Sequence, residues 1–202
     1  MAVDHGTRRL RLPPSNLDKL EIPKTRLPAR NWYRIHQSRF SALHFSLNTI
    51  HRFSHEDCPC PLLYLAVDTD TCSLECFGDK AFERKQTIPQ SLWMAHRITC
   101  VHLPALQICD LTDSRTLNAL KLDLSALMNN DLTAPQAWGL ALQRHPARFQ
   151  GIRFKSRFNG KDCLAVFKRD GIEARLRETP LDPLPENDAA LDWLDTHKVC
   201  LY

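Results

Sequence analysis

Two sets of side chains in this 202-residue chain have the types and spacing that chemistry requires. The first is compact. His51, His55, Cys58 and Cys60 stand within ten residues, and imidazole and thiolate are zinc ligands. A single residue separates the two cysteines and no second Cys/His pair completes a familiar module, so no metal is expected there. The second set is dispersed: Arg34, Arg52, Tyr64, Glu75 and Ser156. Guanidinium groups hold anions in a bidentate fork, and an aromatic ring, a carboxylate and a hydroxyl can each contact a ligand. Taken singly, each has a plain structural reading. Arg34 would pair with an acid across a sheet, Tyr64 would be a core aromatic, and Ser156 would be a strand-end hydroxyl. Glu75 is less ordinary, because a carboxylate between Leu74 and Phe77 on a short helix is expected to be partly buried.

Elements to position these residues are visible in the hydropathy pattern. Alternation from Trp32 to His36 predicts a strand with Trp32, Arg34 and His36 on one face and Tyr33 and Ile35 on the other. Leu62 to Val67 reads as a buried strand with Leu62, Tyr64 and Ala66 sharing a face. Asp68-Thr69-Asp70 then caps a short helix through Phe77 that carries Glu75. Ile98–Leu103 and Leu106–Cys109 read as strands on either side of Pro104. Thr133 caps a helix with Pro135 in its first turn, an apolar stripe of Ala137, Trp138, Ala141 and Leu142, and a stop at Pro146. Ile152, Phe154 and Ser156 share a face of the next strand, which Asn159-Gly160 turns into a hairpin with Cys163–Phe167. Residues 187–197 form an acidic amphipathic segment with Leu191 and Leu194 as its apolar side. Strands outnumber helices and the order is mixed. The expectation is an α+β fold: a compact mixed or antiparallel sheet core with short helices.

Composition narrows the function class by exclusion. The chain is 43% hydrophobic and 25% charged, which fits a soluble globular protein and not a disordered or fibrous one. The longest apolar run, Leu62 to Val67, is far short of the roughly 18 residues that span a bilayer. GxGxxG, GxxxxGK[ST] and GxSxG are all absent, which removes the usual phosphate loops and the nucleophile elbow. Asp4 and then Arg8, Arg9 and Arg11, with no apolar stretch after them, do not read as a secretory signal. A cytoplasmic location is expected, with the eight cysteines as reduced thiols and no membrane partner. Charge is uneven: residues 1–30 carry seven Lys/Arg against three Asp/Glu, and residues 178–202 carry six Asp/Glu against one Lys. No nucleic-acid-binding signature accompanies the basic end.

The order of Arg34 in Trp-Tyr-Arg-Ile-His, Arg52 in His-Arg-Phe-Ser, Tyr64 in Leu-Tyr-Leu-Ala, Glu75 in Ser-Leu-Glu-Cys-Phe-Gly and Ser156 in Phe-Lys-Ser-Arg resembles the RES-domain family, named for its Arg, Glu and Ser. Cys109-Asp110-Leu111-Thr112-Asp113, Gln136-Ala137-Trp138 with His145-Pro146, and Gly151-Ile152-Arg153-Phe154 look like that family too. The departures are His51 and Ser54 around Arg52, where Gly or Asn is common, and Cys72 in place of an alanine three residues before Glu75.

The resemblance implies an ADP-ribosyltransferase-like fold and an NAD-degrading enzyme that cleaves the nicotinamide–ribose bond by hydrolysis or phosphorolysis. NAD would be a substrate, inorganic phosphate an optional co-substrate, and no metal would take part. Catalytic roles would fall to Glu75, Ser156 and Arg52, and binding to Arg34, Arg52 and Tyr64. Arg34 and Arg52 would hold the pyrophosphate and Tyr64 would face the nicotinamide. Glu75 would stabilise the cationic ribose, and Ser156 would contact the ribose or position the attacking water or phosphate. The family further implies a toxin of a toxin–antitoxin pair. Its partner would be a separate antitoxin, nucleic acid would be engaged only through that antitoxin, and a homodimer is compatible. Residues 1–30 would be a Pro-rich basic arm, 31–170 the RES-type catalytic domain and 171–202 an acidic C-terminal extension. The rival expectations are an ADP-ribosyltransferase that modifies a macromolecule and a non-catalytic zinc- or nucleic-acid-binding module.

Overall fold

The computed structural model describes residues 12–82, 86–128 and 130–202. In chain order the elements are β1 (Thr25–Leu27), β2 (Arg30–Gln37), β3 (Leu62–Ala66), α1 (Thr69–Ala81), β4 (Thr87–Ile88), α2 (Gln90–Met94), β5 (His96–Leu103) and β6 (Leu106–Asp110). There follow α3 (Ser114–Leu120), α4 (Ser125–Met128), α5 (Thr133–Arg144), β7 (Gly151–Lys155), β8 (Asp162–Phe167), β9 (Arg177–Pro183), α6 (Asp188–His197) and β10 (Cys200–Leu201). Eight strands form one sheet in the order β1-β6-β7-β8-β3-β2-β5-β9. Only β6 beside β7 is parallel in it, and β4 and β10 make a separate parallel pair. This is the expected α+β arrangement of mostly antiparallel sheet and short helices.

Strand alternation sorts the core into two faces of the sheet. Leu62 and Ala66 of β3 pack with Phe53, Trp138, Phe154 and Phe167, while Leu63 and Leu65 pack on the other side with Trp32, Val101, Leu164 and Val166. A third cluster joins Leu74 and Phe77 of α1 to Ile88, Trp93, Ile98 and Trp193. The Asp68 carboxylate accepts the Thr71 N–H at 2.8 Å and starts α1 as the sequence predicts. The helix runs on to Ala81, one turn past the expected end. In α5 the capping residue is Leu132, not Thr133. Its buried side takes Gly139 and Gln143 with Trp138 and Leu142, and Ala137 and Ala141 are left half-buried.

The β7–β8 hairpin forms as expected, with Lys155 opposite Asp162 and Phe154 opposite Cys163. Its connection spans residues 156–161, and Gly160 at φ +70° supplies the left-handed turn. Ser156 therefore opens the loop and does not share the face of β7 with Phe154.

The segments expected as an arm and an extension are woven into the same body. Leu17, Ile22 and Leu27 are buried, and β1 pairs with β6. β9 lies along β5 at the sheet edge, where Pro180 and Pro183 are tolerated because no further strand needs their missing N–H groups. In α6, Ala190, Trp193 and Leu194 are the buried positions, whereas Leu191, expected on the apolar side, is 39% exposed. Arg8, Arg9 and Arg11 lie outside the described residues. Among the described residues no helix is long and apolar enough to cross a membrane.

Candidate active site

The sheet is split between β2 and β3. The two strands pair only at Tyr33 and Ala66, so the antiparallel ladder that would continue through Arg34 and Ile35 against Leu65 and Tyr64 does not form. The Ile35 N–H turns instead to Cys72 Sγ on α1, at 2.9 Å. Further along, Ser46 bridges Leu62 and closes the far end of the split. Between these two closures lies a cavity of about 710 Å³. Such an opening in a sheet exposes backbone and side chains from both strands to one ligand.

Helix periodicity sets one wall. Cys72, Glu75, Cys76 and Asp79 recur at i, i+3, i+4 and i+7 and line the cavity together, while Leu74, Phe77 and Ala81 on the opposite face are buried in the third core cluster. Tyr33, Arg34 and Ile35 come from β2, Tyr64 and Leu65 from β3, Phe154 and Cys163 from the hairpin strands, and His51 and Arg52 from the loop before β3. Four of the five residues singled out in the sequence, Arg34, Arg52, Tyr64 and Glu75, thus meet on one cavity.

Each is held by identifiable partners. Arg34 Nη1 donates to the carbonyls of Ala42 at 2.6 Å and His44 at 2.9 Å. No carboxylate pairs with this guanidinium among the described residues, so the cross-sheet ion pair of the plain reading does not form. Burial lowers its pKa and the neighbouring thiols of Cys72 and Cys76 oppose the shift; an arginine remains charged throughout. A partly buried, uncompensated cation beside an open cavity is a place for an anion. Arg52 Nη1 donates to the Leu127 carbonyl. Burial lowers its pKa, Glu75 raises it and Arg157 lowers it further, so its charge lies near both the acid and a second guanidinium. The Arg52 loop is fixed by α5. The Gln136 amide donates to Thr49 and His51 carbonyls, and Gly139 lets Phe53 O approach so closely that a Cβ there would lie 2.2 Å away. The Tyr64 hydroxyl accepts the Phe53 N–H at 2.9 Å and shares a hydrogen bond with Ser54 Oγ at 3.1 Å. Burial pushes its phenol well above the ordinary tyrosine range, so Tyr64 stands uncharged on the cavity wall.

Ser156 stands apart from the cavity wall. It is fully buried, and its hydroxyl donates to Glu75 Oε1 at 2.7 Å while accepting the Phe158 N–H at 3.2 Å. The hydroxyl expected to contact a ribose or an attacking group is thus bonded to the acid, and Ser156 is not among the residues that line the cavity. Glu75 itself is exposed on the cavity side of α1 and not partly buried as its flanking residues suggested.

Sequence reasoning missed several wall residues. Arg157 ion-pairs with Asp79, bonds Asn130, and lies over the Phe158 ring at 4.5 Å. Phe158 packs so tightly on α1 that a Cβ at Gly78 would meet its ring at 2.6 Å. Helical spacing from Glu75 is enough to find Asp79; Arg157 ends the Phe-Lys-Ser-Arg stretch, but nothing local gives it a role, and nothing marks Asn130. The His51, His55, Cys58 and Cys60 group does not converge. His51 leans on Tyr64, His55 Nδ1 accepts the Asp57 N–H, Cys58 points to Phe53 O and Cys60 to Gln143. Among the described residues no group of three or more His, Cys, Asp or Glu side chains is placed to hold a metal.

Among solved structures, the crystal structure of the M. tuberculosis MbcT-MbcA toxin-antitoxin complex is similar in fold, with a TM-score of 0.59 at 21% identity over 87% of this chain and 93% of that chain. The chain matches no curated protein. A family model described as the RES domain matches residues 31–193, past the boundary expected at residue 170 and into α6. That span takes in most of the chain, the split between β2 and β3, and all of Arg34, Arg52, Tyr64, Glu75 and Ser156, and the chain belongs to the RES domain family.

Proposed function

We propose that the chain is an NAD-degrading enzyme that breaks the nicotinamide–ribose bond. The observation that carries this reading is the joint placement, on one open cavity, of an acid braced by a buried serine and a guanidinium that pairs with no carboxylate among the described residues. Arg34 and Arg52 would hold the pyrophosphate, and the Tyr64 face would receive the cationic nicotinamide ring. Glu75, held through Oε1, would face the ribose. As the C–N bond breaks, its electron pair leaves with nicotinamide, which departs neutral, and positive charge develops on the ribose next to the carboxylate. Water or inorganic phosphate then forms the new C–O bond at the same carbon and loses a proton to solvent.

A biological role is supported by the family and by the neighbour in fold, which comes from a toxin–antitoxin complex. The chain would be the toxin, acting on cytoplasmic NAD, and a separate antitoxin protein would restrain it.

Purified protein is incubated with NAD, with and without phosphate, and free nicotinamide is measured. Release by the wild type and its loss in Glu75→Gln are expected, and a phosphorylated ADP-ribose product would mark phosphorolysis. No release under either condition, with Glu75→Gln indistinguishable from wild type, would end the proposal. Radioactivity from labelled NAD retained on protein or nucleic acid would favour transfer to a macromolecule instead.

A further inference from the structure

The cavity contains a ring for which the proposed reaction has no role. His51 lines it beside Tyr64, with ring centroids 5.0 Å apart and planes inclined by 38°. The Tyr64 hydroxyl is occupied by Phe53 N–H and Ser54 Oγ, and the imidazole packs at a tilt against the Tyr64 ring. The His51 backbone is fixed in turn, since its carbonyl accepts from Gln136 Nε2 at 3.4 Å and from Ser54 N–H at 3.2 Å.

We infer that His51 is a specificity-determining residue: its imidazole and the Tyr64 ring form the wall against which a flat, positively charged pyridinium base rests, and the wall accepts that base only while the imidazole is neutral. The inference rests on the reading of the cavity as an NAD site. Burial, and after it the charge of Arg34, hold His51 below the ordinary histidine value of 6.5, so the ring is uncharged at neutral pH. The groups around it are Arg34 from β2, Tyr64 from β3, the uncharged Gln136 from α5 and Arg52 on its own loop, with Glu75 and Asp79 of α1 and Arg157 of the hairpin loop on the same cavity. A proton on His51 adds a positive charge to this neighbourhood. It repels a pyridinium and leaves the neutral dihydropyridine of NADH unaffected.

The test uses two ligands that differ in the charge on the base. KM for NAD is followed by nicotinamide release from about pH 8 to about pH 5.5, across the histidine range, and NADH binding is followed over the same range by its fluorescence. In the wild type KM stays level through the ordinary histidine value and rises only as pH falls through the lowered value of His51, toward a limit of roughly tenfold per pH unit, while kcat changes less and NADH affinity stays level. His51→Phe keeps a ring with no titrating nitrogen and abolishes the rise. His51→Gln, a second variant in case Phe distorts the loop, also abolishes it and raises KM on the order of fivefold at neutral pH through loss of the ring face. A KM–pH curve unchanged in both variants, or NADH affinity falling in step with NAD, overturns the role of His51 and leaves NAD cleavage standing. A wild-type protein that neither releases nicotinamide nor binds NADH overturns both.

Discussion

The Ser156 hydroxyl donates to Glu75 Oε1 at 2.7 Å and accepts the Phe158 N–H at 3.2 Å, so one buried serine ties the helix that carries the acid to the loop that walls the cavity. The same loop is docked along α1 at several other points. Lys161 reaches Asp68 and Asp70, Asn159 bonds Asp70 and Thr71, Phe158 packs on Gly78, and Arg157 pairs with Asp79. Glu75 is thus presented by two elements that are fixed to each other, and its carboxylate keeps one orientation without help from a ligand.

Ser156→Ala removes that orientation and nothing on the cavity surface. Nicotinamide release is expected to fall about 10- to 100-fold, the equivalent of ~1.5–3 kcal/mol for a hydrogen bond to a charged group. KM for NAD should change by less than about threefold, because the serine does not line the cavity. Steady-state kinetics separate the two parameters, and an effect confined to KM would put the hydroxyl on the substrate.

Arg34→Lys keeps a positive charge but loses the planar fork. The variant cannot both satisfy the Ala42 and His44 carbonyls and present further N–H groups in a plane to an anion. KM for NAD is expected to rise roughly tenfold or more with kcat within a few-fold of wild type. Equal losses in kcat and kcat/KM would place this guanidinium at the reacting centre and away from the pyrophosphate.

Local signals in the sequence carried the elements better than the site. The alternation of β3, the Asp68 cap and the Asn159-Gly160 turn each state their structure within a few residues, because strand pleating, capping and left-handed turns are short-range requirements. β9 was hidden because Pro180 and Pro183 argue against a strand, and only its position at the sheet edge, a tertiary fact, makes them harmless. The site residues were legible through their order along the chain, since no single one is unusual in its own neighbourhood. What the order does not hold is direction: whether Ser156 faces the ligand or the acid depends on the loop opening at residue 156 and lying along α1. Arg157 was invisible for a related reason, since its partners Asp79 and Asn130 come from elsewhere in the chain.

A second cluster should set the acid stability. Asp162 accepts from Arg153 and, at 2.8 Å, from Lys155 Nζ, and Arg153 also reaches the buried Asp110 at 3.3 Å. Burial works against the Asp162 charge, but the bonds from Arg153 and Lys155 outweigh it and leave the pKa below 3.8. A carboxylate lowered in the folded state contributes its full stability above the unfolded pKa and loses it as pH falls through the folded one. Thermal midpoints should therefore lose this contribution only below about pH 4. Asp162→Asn should lower stability at neutral pH by about 1–3 kcal/mol and show a shallower decline on acidification. Parallel wild-type and variant curves below that pH would remove Asp162 from the account.

Two glycines make opposite predictions from the same substitution. At Gly78 an added Cβ would lie 2.6 Å from the tip of the Phe158 ring, a side chain that can swing aside. The helix gains up to ~1 kcal/mol from replacing glycine by alanine, so Gly78→Ala should leave the thermal midpoint nearly unchanged. The displaced ring is cavity wall, however, and nicotinamide release should fall about tenfold or more. At Gly139 the Cβ would lie 2.2 Å from the backbone oxygen of Phe53, which has no rotamer to change. Helix α5 must retreat from the loop that carries Arg52, at a cost of about 1–3 kcal/mol or more. Gly139→Ala should therefore lower the thermal midpoint and raise KM for NAD together. Thermal unfolding and kinetics on both variants decide it: a Gly78→Ala protein that is destabilised yet fully active would mean that the Phe158 ring packs on the helix without shaping the cavity.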